Sequence, residues 1–445
     1  MTLWPLPPGK QIQPKDVQPP PRFTIRYGSG ESERLSQMEN GVGKGDLYDE
    51  RNPYVSVMKS NERITAKDWV QDVRHCVFDI QNSGISYSPG DIVYIMPKNP
   101  KKAVQVFLNL LSLDGEKVIH SIEPLNTADP VPSVKFPIKI SDLFTNYLDF
   151  LGTPRRYFYE LLSFFATEER EKERLKHFSS REGFESLYEY NFQAKRSFVD
   201  VFSDFPSCKP PLEYLLDLIP PLNPRPFSIS SAQKCHPSEI HVTMLVVSYT
   251  SPINRIKKGL CSNWLANMKP EEAPKVELWV KKGPTSLPPD SDNTPIIMIG
   301  PGTGCAIFRA YVEYNYYLHL NGKPTRKMMF LFGCRKRNSD FFYEEEWNKY
   351  VSMGVISHFA VAFSRDQDKK NYVTHKMNEL SSEIWNYLQQ NCIIYISGKS
   401  GNMPRDVKRE LTNIISQHAQ LDTQQAENYI ANLIKQNRYL TETWL

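Results

Sequence analysis

Several patterns that would assign a chain to a class of protein at once are missing from this sequence of 445 residues. Its seven cysteines stand singly, without a C-x-x-C pair, which argues against a disulfide framework and a structural zinc site and favours a reducing, cytosolic setting. No apolar run approaches the length of about 18 residues that a membrane-spanning helix needs, and the first ten residues lack the order of a signal peptide. Lysine and arginine (54) nearly balance aspartate and glutamate (50), which does not favour a nucleic-acid surface.

These absences favour a globular protein. Because 40% of its residues are hydrophobic, the chain can form sizeable cores. We expect a soluble protein in the cytoplasm, with a mitochondrial location left open, and with no nucleic-acid partner, no membrane span and no metal site. The length predicts two to three domains. Residues 1–50 hold seven prolines by position 21 and then a polar, glycine-bearing stretch, so they are predicted to be a linker.

Regions with different periodicities follow this linker. Short β-rich runs bounded by glycine, proline and asparagine, such as VRHCVFDI and GDIVYIMPKN, predict an antiparallel β-barrel domain over residues 51–285. From about 101 to 196 apolar residues recur at helical spacing, which predicts an all-α insertion into the barrel. Residues 290–445 alternate β runs with helical runs, and this pattern predicts an α/β domain with a doubly wound parallel sheet.

The stretch TPIIMIGPGTGCAIF places Gly300, Gly302 and Gly304 between a predicted strand and a predicted helix. Such a turn can aim backbone N–H groups at a phosphate, because the first turn of a helix leaves its donors unpaired. The spacing matches neither the P-loop pattern nor the common dinucleotide fingerprint, and a tight βα turn that binds nothing is an equal alternative. Its place at the end of the first strand of a doubly wound sheet favours a ligand.

A cationic cluster, Ser364, Arg365 and Lys370, follows the predicted strand ISHFAVAF. A hydroxyl, a guanidinium and an ammonium group can together bind a monophosphate dianion, such as the 2′-phosphate that distinguishes NADPH from NADH. The alternative is an ordinary solvated run of charges.

Further stretches carry groups suited to a nucleotide with a flat ring. In RPFSIS, Arg225 and Phe227 share one face of an alternating strand, which places a cation for a pyrophosphate beside an apolar surface for a ring. In KKGLCSNWL, Gly259 permits close backbone approach, and Ser262 could donate to a phosphate or cap the following helix. Chain termini usually fray, so the penultimate Trp444 is either docked against something flat or exposed.

Several motifs stand in one order along the chain: R-x-F-S, G-L-x-S, GPGTG, an S-R…K-x-Y-V cluster, a G…M…DV segment and a C-terminal aromatic residue. This combination resembles the diflavin branch of the ferredoxin–NADP⁺ reductase superfamily, which includes cytochrome P450 reductase, over roughly residues 50–445. Within the branch, RPFSISS, GLCSNWL and TETWL are most similar to the reductases of cytosolic iron–sulfur protein assembly. The helical insertion resembles the branch's connecting domain, and an N-terminal flavodoxin-like FMN domain is expected to precede the linker.

The resemblance implies FAD ligands, residue by residue. Phe227 lies against the isoalloxazine and Arg225 on the pyrophosphate, and Trp444 covers the flavin face that nicotinamide must reach. Either Lys195 or Arg196 matches a further FAD-contacting arginine, with the choice left open. The remaining implied FAD ligands are Pro226 and Ser228 on the same strand and Gly259, Leu260, Cys261 and Ser262 in a second phosphate turn.

The resemblance also implies NADPH ligands. Gly302, Thr303 and Gly304 take the pyrophosphate, and Ser364 and Arg365 take the 2′-phosphate. The adenosine end is assigned to Lys370, Asn371, Tyr372, Val373 and Thr374, and Asp406 in GNMPRDV matches another NADP-contacting position.

The chain departs from its relatives at positions that bear on the chemistry. Relatives often have tyrosine where Phe227 stands, so a hydroxyl contact to the flavin phosphate is lost. Ile307 replaces the proline that usually follows the glycine loop, which leaves the turn less fixed. The Ser, Cys and Asp set near the nicotinamide of P450 reductase matches Ser228, Ser397 and Glu442, so the contribution of the serine that replaces cysteine is left open.

The implied enzyme transfers hydride from NADPH C4 to FAD N5 and then passes single electrons to FMN, and Trp444 must swing aside to admit nicotinamide. The implied cofactors are FAD and NADPH in this chain and FMN in the preceding domain. The implied partners are that FMN domain and an iron–sulfur acceptor of the anamorsin type. A diflavin reductase with a P450-type acceptor and a non-catalytic FAD-containing scaffold whose helical insertion binds partners remain as alternatives.

Overall fold

The computed structural model of the protein describes residues 17–28, 47–127, 134–290 and 292–444. They divide into two compact units, each built from separate stretches of chain. The first unit takes Met96–Pro224, Val247–Trp264 and the described residues of Met1–Gly43. The second takes the described residues of Lys44–Ile95, Arg225–Val246 and Leu265–Leu445.

Strands and helices share the described residues. The strands are β1 (Phe23–Tyr27), β2 (Tyr54–Arg63), β3 (Val73–Asp79), β4 (Ile92–Met96), β5 (Val118–Pro124), β6 (Ile138–Lys139), β7 (Arg225–Ser228), β8 (Glu239–Leu245), β9 (Ser248–Thr250), β10 (Ile256–Lys258), β11 (Lys275–Lys281), β12 (Ile296–Pro301), β13 (Met328–Cys334), β14 (His358–Phe363), β15 (Ile393–Lys399) and β16 (Tyr439–Trp444). The helices are α1 (Lys101–Leu111), α2 (Ile140–Asn146), α3 (Arg156–Leu162), α4 (Glu169–Ser179), α5 (Phe184–Leu187), α6 (Phe198–Asp204), α7 (Leu212–Leu218), α8 (Leu260–Ala266), α9 (Cys305–Leu320), α10 (Arg337–Asp340), α11 (Glu344–Ser352), α12 (Val373–Glu379), α13 (Ser381–Gln389), α14 (Asn402–Ala419) and α15 (Thr423–Lys435).

The first unit is a helical body with a small antiparallel sheet, in which β1 pairs with β5 and β5 with β6. Its core is rich in phenylalanine rings. Phe107 stacks on Phe150 with ring centroids 4.8 Å apart and meets Phe144 and Phe202 edge to face. Aromatic side chains bury large apolar areas, so this cluster holds the short helices together.

The structure changes the predicted boundaries of this region. Within the predicted linker 1–50, Phe23 and Ile25 alternate with polar residues, are buried and form β1, while residues 1–16 and 29–46 lie outside the described part of the chain. The helical insertion is present, but it also contains β5 and β6 and its helices continue past residue 196 to Leu218. The Ser197 side chain accepts a hydrogen bond from Asp200 N in a capping box, which starts α6 just after the predicted end.

The barrel of the second unit has the strand order β7-β4-β11-β2-β3-β8. The sheet closes on itself, because Ile229, directly after β7, bridges to Val242 in β8 and Ser230 N donates to His241 O at 2.8 Å. The antiparallel barrel expected from the short β-rich runs is therefore confirmed.

The other sheet of the second unit is fully parallel, with the order β14-β13-β12-β15-β16. Buried residues of α9 and α11 pack on one face, and those of α12 to α15 pack on the other. This is the doubly wound arrangement that the alternating pattern predicts. Strand order reverses between β12 and β15, and in such sheets the crevice outside the carboxyl ends of these two strands is the usual ligand site.

Among the described residues, no helix combines the length and the apolar character needed to cross a membrane.

Candidate functional site

The glycine loop between β12 and α9 lies at the point where the strand order of the parallel sheet reverses. Gly302 has a left-handed backbone (φ +58°), and a Cβ built on it would meet nothing within 4 Å. A Cβ on Gly304 would lie 2.2 Å from Ser397 O, and one on Gly300 would lie 2.6 Å from the Phe308 ring. Gly300 and Gly304 thus serve packing, whereas Gly302 serves the turn itself and faces open space.

The start of α9 is suited to an anion. Among the described residues, no side chain caps this helix and no acidic residue stands in its first turn. The Cys305 N–H, the first of the helix, donates back to Gly302 O, so the positive end of the helix dipole lies at the turn Gly302–Gly304. Ile307, in the third position of the helix, is buried at 2% exposure in the core between α9 and the sheet. Apolar packing therefore anchors this turn.

The three residues predicted to lie near the nicotinamide are brought together by the second unit. Ser228 Oγ donates a hydrogen bond to Glu442 Oε1, and Thr285 Oγ1 donates to Glu442 Oε2 at 3.2 Å. Ser397 on β15 is the register partner of Glu442 on β16. Its hydroxyl is buried and has no hydrogen-bond partner among the described residues.

Glu442 lies in an unusual environment for a carboxylate. Burial raises its pKa, and the hydrogen bonds from Ser228 and Thr285 lower it by less. The net shift is upward, so this carboxyl group holds a proton to a higher pH than an exposed glutamate does. A group of this kind beside a cleft is a candidate for positioning a substrate or sharing a proton with it.

Trp444 ends β16 two residues after Glu442, so both side chains point to the same face of the sheet. Its carbonyl accepts a hydrogen bond from Ser400 N at 2.7 Å, and its register partner is Lys399. The residue is 37% exposed. The backbone at the end of the chain is therefore held in the sheet, while the indole remains accessible at the carboxyl edge.

The carboxyl ends of β13 and β14 carry two arginines that are joined through their backbones. Arg365 follows β14, and its backbone N–H donates to the backbone oxygen of Arg335, which follows β13, at 2.8 Å. Burial lowers the pKa of Arg335, and the nearby charge of Arg365 lowers it further. Two cations held this close favour a dianion between or beside them. Arg335 is absent from the predicted set, although the sequence GCRKR at the end of a predicted β run offered a signal.

Ser364 is less free than its sequence pattern suggests. Its backbone N–H donates to Cys334 O at 2.9 Å, and its hydroxyl donates to the same oxygen at 3.2 Å. To donate to a phosphate, the hydroxyl would have to give up this bond. The exposed Arg365 and Lys370 carry no such cost.

The segment after this cluster mixes accessible and core residues. Val373 is 5% exposed and packs on Gly333, where an added Cβ would lie 2.9 Å from its Cγ1, so its side chain belongs to the core. Tyr372 is 48% exposed, Thr374 is half-buried, and the Asn371 Oδ1 atom is buried without a partner among the described residues. Asp406, in the second turn of α14, pairs with Arg409 at 2.9 Å.

The predicted flavin strand β7 is paired along its length with β4. Arg225 is opposite Ile95, Phe227 is opposite Val93, and both are half-buried. Pro226 is exposed, and Ser228 points to the face that meets Glu442. Strand alternation therefore separates the Arg225 and Phe227 side chains from that of Ser228.

The second predicted phosphate turn lies in the first unit. Gly259 N donates to Val247 O at 2.9 Å, and an added Cβ on Gly259 would lie 2.8 Å from Val247 Cβ. Ser262 is 6% exposed, and its hydroxyl accepts from Val247 N at 3.0 Å. The side chains of Ser262 and of the buried Cys261 are thus used inside the fold. Asn263 N donates to Gly259 O at 3.1 Å, which closes the first turn of α8 on this glycine.

The structure distinguishes the two candidates Lys195 and Arg196. Arg196 pairs with Asp204 at 2.6 Å and lies over the Tyr190 ring at 4.2 Å. Lys195 is exposed with a left-handed backbone (φ +53°). Of the two, Lys195 is the side chain that can reach a ligand without breaking an ion pair.

The donor set at the carboxyl edge of the parallel sheet fits a nicotinamide dinucleotide that carries an extra phosphate. It combines the open backbone at Gly302, an uncapped helix start, the Arg335 and Arg365 pair, and the unpartnered hydroxyl of Ser397.

Comparisons with known proteins agree with this geometry. Residues 47–264 match the family described as "FAD binding domain", and residues 298–409 match "Oxidoreductase NAD-binding domain". Proteins named NADPH-dependent diflavin oxidoreductase 1 are 44% identical in Dictyostelium discoideum, over 81% of this chain and 59% of the relative, and 36% identical in Xenopus laevis, over 100% of this chain and 74% of the relative. The chain belongs to the diflavin oxidoreductase family. The expectation of an FAD-binding portion followed by a nicotinamide-nucleotide-binding portion is confirmed.

A second group of diflavin reductases is nearly as similar. NADPH–cytochrome P450 reductase of Drosophila melanogaster is 34% identical over 97% of this chain and 63% of its own length. The chain spans between 59% and 74% of the length of the curated relatives it matches.

Proposed function

We propose that this chain is the FAD- and NADPH-binding part of a diflavin reductase that moves electrons from NADPH through FAD to an FMN-binding domain. The observation that carries the proposal is the Ser228–Glu442 hydrogen bond, because it joins the strand carrying the flavin motif to the last strand of the nucleotide-binding sheet. When bound, NADPH and FAD supply the redox chemistry, the passage of two electrons and a proton from nicotinamide to flavin.

In this proposal the residues of the chain bind and orient NADPH and FAD and cover the flavin ring. The backbone at Gly302 and the start of α9 hold the pyrophosphate of NADPH. Arg335, Arg365 and Lys370 hold the 2′-phosphate, with a smaller share from Ser364. Asn371 and the accessible Tyr372 and Thr374 border the adenosine, with Asp406 nearby on α14.

On the flavin side, Phe227 of the second unit presents a ring to the isoalloxazine, and Arg225 presents a cation to the pyrophosphate. In the first unit, Lys195 takes the role that the resemblance gives to a further FAD-contacting residue. The resemblance also assigns the turn formed by Gly259, Leu260, Cys261 and Ser262 to an FAD phosphate. Trp444 covers the accessible flavin face and moves aside for nicotinamide. Ser228, Ser397 and Glu442 border the place where the two rings meet, and Glu442 holds or shares a proton there.

The test is the absorption spectrum of the purified protein with FAD under anaerobic conditions. NADPH should bleach the band near the flavin maximum within seconds, and NADH should do so much more slowly. A protein that binds FAD but keeps its flavin band with NADPH would instead be an FAD-containing scaffold, and the proposal would fail.

The electron acceptor is part of the same proposal. We assign it to an iron–sulfur protein of the anamorsin type in cytosolic iron–sulfur cluster assembly, in the cytoplasm, on the similarity of RPFSISS, GLCSNWL and TETWL to the reductases of that pathway. A P450-type acceptor is the second candidate, favoured by the similarity to the Drosophila reductase. Reconstitution with an FMN domain and each acceptor in turn should show faster reduction of the iron–sulfur protein.

A further inference from the structure

The loop before β8 and the first three residues of that strand carry a cluster of side chains that the redox site does not use. His236, Glu239 and His241 each offer one ligand atom, and these atoms lie within 4.8 Å of one another. His236 and Glu239 are half-buried, and His241 is buried. The cluster therefore opens to solvent on one side only.

The spacing of these atoms is close to that of a metal centre. Glu239 Oε2 lies 3.1 Å from His241 Nε2 and 4.0 Å from His236 Nδ1. Ligands at about 2.0–2.1 Å from a tetrahedral zinc ion are about 3.3 Å apart, so small rotations of the half-buried His236 and Glu239 reach coordinating geometry. A water molecule would take the fourth position.

A second carboxylate orients the histidine that faces this gap. His236 Nε2 lies 3.2 Å from Glu313 Oε1. When His236 donates its Nε2 proton to this carboxylate, Nδ1, which lies 4.0 Å from Glu239 Oε2, is left for a metal ion. Metal-binding histidines commonly donate their other N–H to a carboxylate in this way.

Glu313 itself is held firmly on α9. It pairs with Arg309 at 2.9 Å and accepts from Ala232 N at 2.8 Å.

Two neighbouring positive charges oppose a cation at this place. Lys59 Nζ donates to Glu239 Oε1, the oxygen that does not face the histidines. The pair leaves Oε2 available but reduces the negative potential at the gap. Arg309 acts in the same sense, although its charge is shared between Glu313 and Glu346.

We propose that His236, Glu239 and His241 form a binding site for a divalent transition-metal ion of the zinc class. Two imidazoles and one carboxylate suit such ions better than they suit magnesium or calcium, which prefer oxygen ligands. Occupation links the loop before β8 to α9 through Glu313, so the ion stabilises this part of the second unit. The site does not depend on the proposed redox function.

The test uses the tag-free, FAD-loaded protein and competition for Zn²⁺ with a chromophoric chelator. One equivalent should bind, and His236→Gln and Glu239→Gln should each weaken binding at least about tenfold, since even partners outside the ligand set cost about 10–100-fold when lost. The exposed His319 at the end of α9 gives a matched control, and His319→Gln should bind like the unchanged protein. Lys59→Gln should tighten binding several-fold.

Thermal unfolding and the absorption spectrum with Co²⁺ complete the test. Zn²⁺ should raise the Tm of the unchanged protein and of His319→Gln but not that of His236→Gln, and an excess of Mg²⁺ should not compete. Co²⁺ should give a visible absorption band without the near-ultraviolet charge transfer of a thiolate. Equal Zn²⁺ affinity in His236→Gln and Glu239→Gln, or a thiolate band, would overturn the site even if NADPH reduces the flavin normally.

Discussion

Ser228 and Glu442, 214 positions apart, are joined by a hydrogen bond from the Ser228 hydroxyl to the Glu442 carboxyl group. The bond connects the barrel strand β7 to the last strand of the parallel sheet. Since burial raises the pKa of Glu442, folding favours the protonated carboxyl group. The stability that this preference contributes is full at low pH and is lost as pH rises through the raised pKa.

Glu442→Gln should remove this dependence, because glutamine resembles the protonated acid. Urea unfolding should show the unchanged protein losing stability relative to Glu442→Gln as pH rises above the ordinary glutamate pKa of 4.5. The exposed Glu427 on α15 provides the reference, and the difference is measured against Glu427→Gln at each pH. A stability difference that stays constant over this range would contradict the assignment.

Arg365→Ala should weaken NADPH binding by roughly 10- to 100-fold, since a hydrogen bond to a charged group contributes about 1.5–3 kcal/mol. Ser364→Ala should cost less, because the hydroxyl already donates to Cys334 O. The double variant should lose at most roughly 10²- to 10⁴-fold, and NADH affinity should not change. Titration calorimetry measures each Kd, with the exposed Lys323→Ala as control, and equal NADPH affinity in the double variant would refute the 2′-phosphate assignment.

Gly302→Ala and Gly322→Ala form a matched pair, because both glycines have left-handed backbones and neither has an atom within 4 Å of an added Cβ. Each should lower the free energy of unfolding by roughly 1–2 kcal/mol. Only Gly302→Ala should also weaken NADPH, since Gly322 follows the far end of α9. Equal NADPH affinity in the two variants would show that the loop does not bind the dinucleotide.

Gly304→Ala should lower the free energy of unfolding more than Gly302→Ala or Gly322→Ala does, because its Cβ would lie 2.2 Å from the backbone oxygen of Ser397. The backbone of β15 cannot give way as a flexible side chain can, so we expect a loss of about 3 kcal/mol or more in urea unfolding.

Trp444→Ala should speed flavin reduction by NADH and reduce the preference for NADPH, because the indole would no longer cover the flavin. Trp444→Phe keeps an aromatic ring, so its NADH rate and its nucleotide preference should lie between those of the unchanged protein and those of Trp444→Ala. Stopped-flow measurement of flavin bleaching with each nucleotide gives the rates. Unchanged rates and unchanged preference in Trp444→Ala would exclude a covering role.

Much of the architecture follows from local patterns in the sequence. Short β-rich runs such as VRHCVFDI predict a barrel, apolar residues at helical spacing predict a helical insertion, and the alternation of β and helical runs predicts a doubly wound sheet. The motifs from RPFS to the C-terminal tryptophan likewise identify the family. The boundaries of the linker and the domains were harder to predict from the sequence, because strand β1 depends on pairing with β5 about a hundred residues away.

Other features were decided only by the tertiary structure. The glycines of GPGTG look alike in the sequence, yet Gly300 and Gly304 are required by packing and Gly302 by the turn. The approach of Arg335 to Arg365, the commitment of Ser364 to Cys334, and the grouping of His236 with Glu313 all join residues from different strands and helices. Hydrophobic periodicity determines which face of an element is buried, but the partner of a polar side chain depends on how distant elements pack.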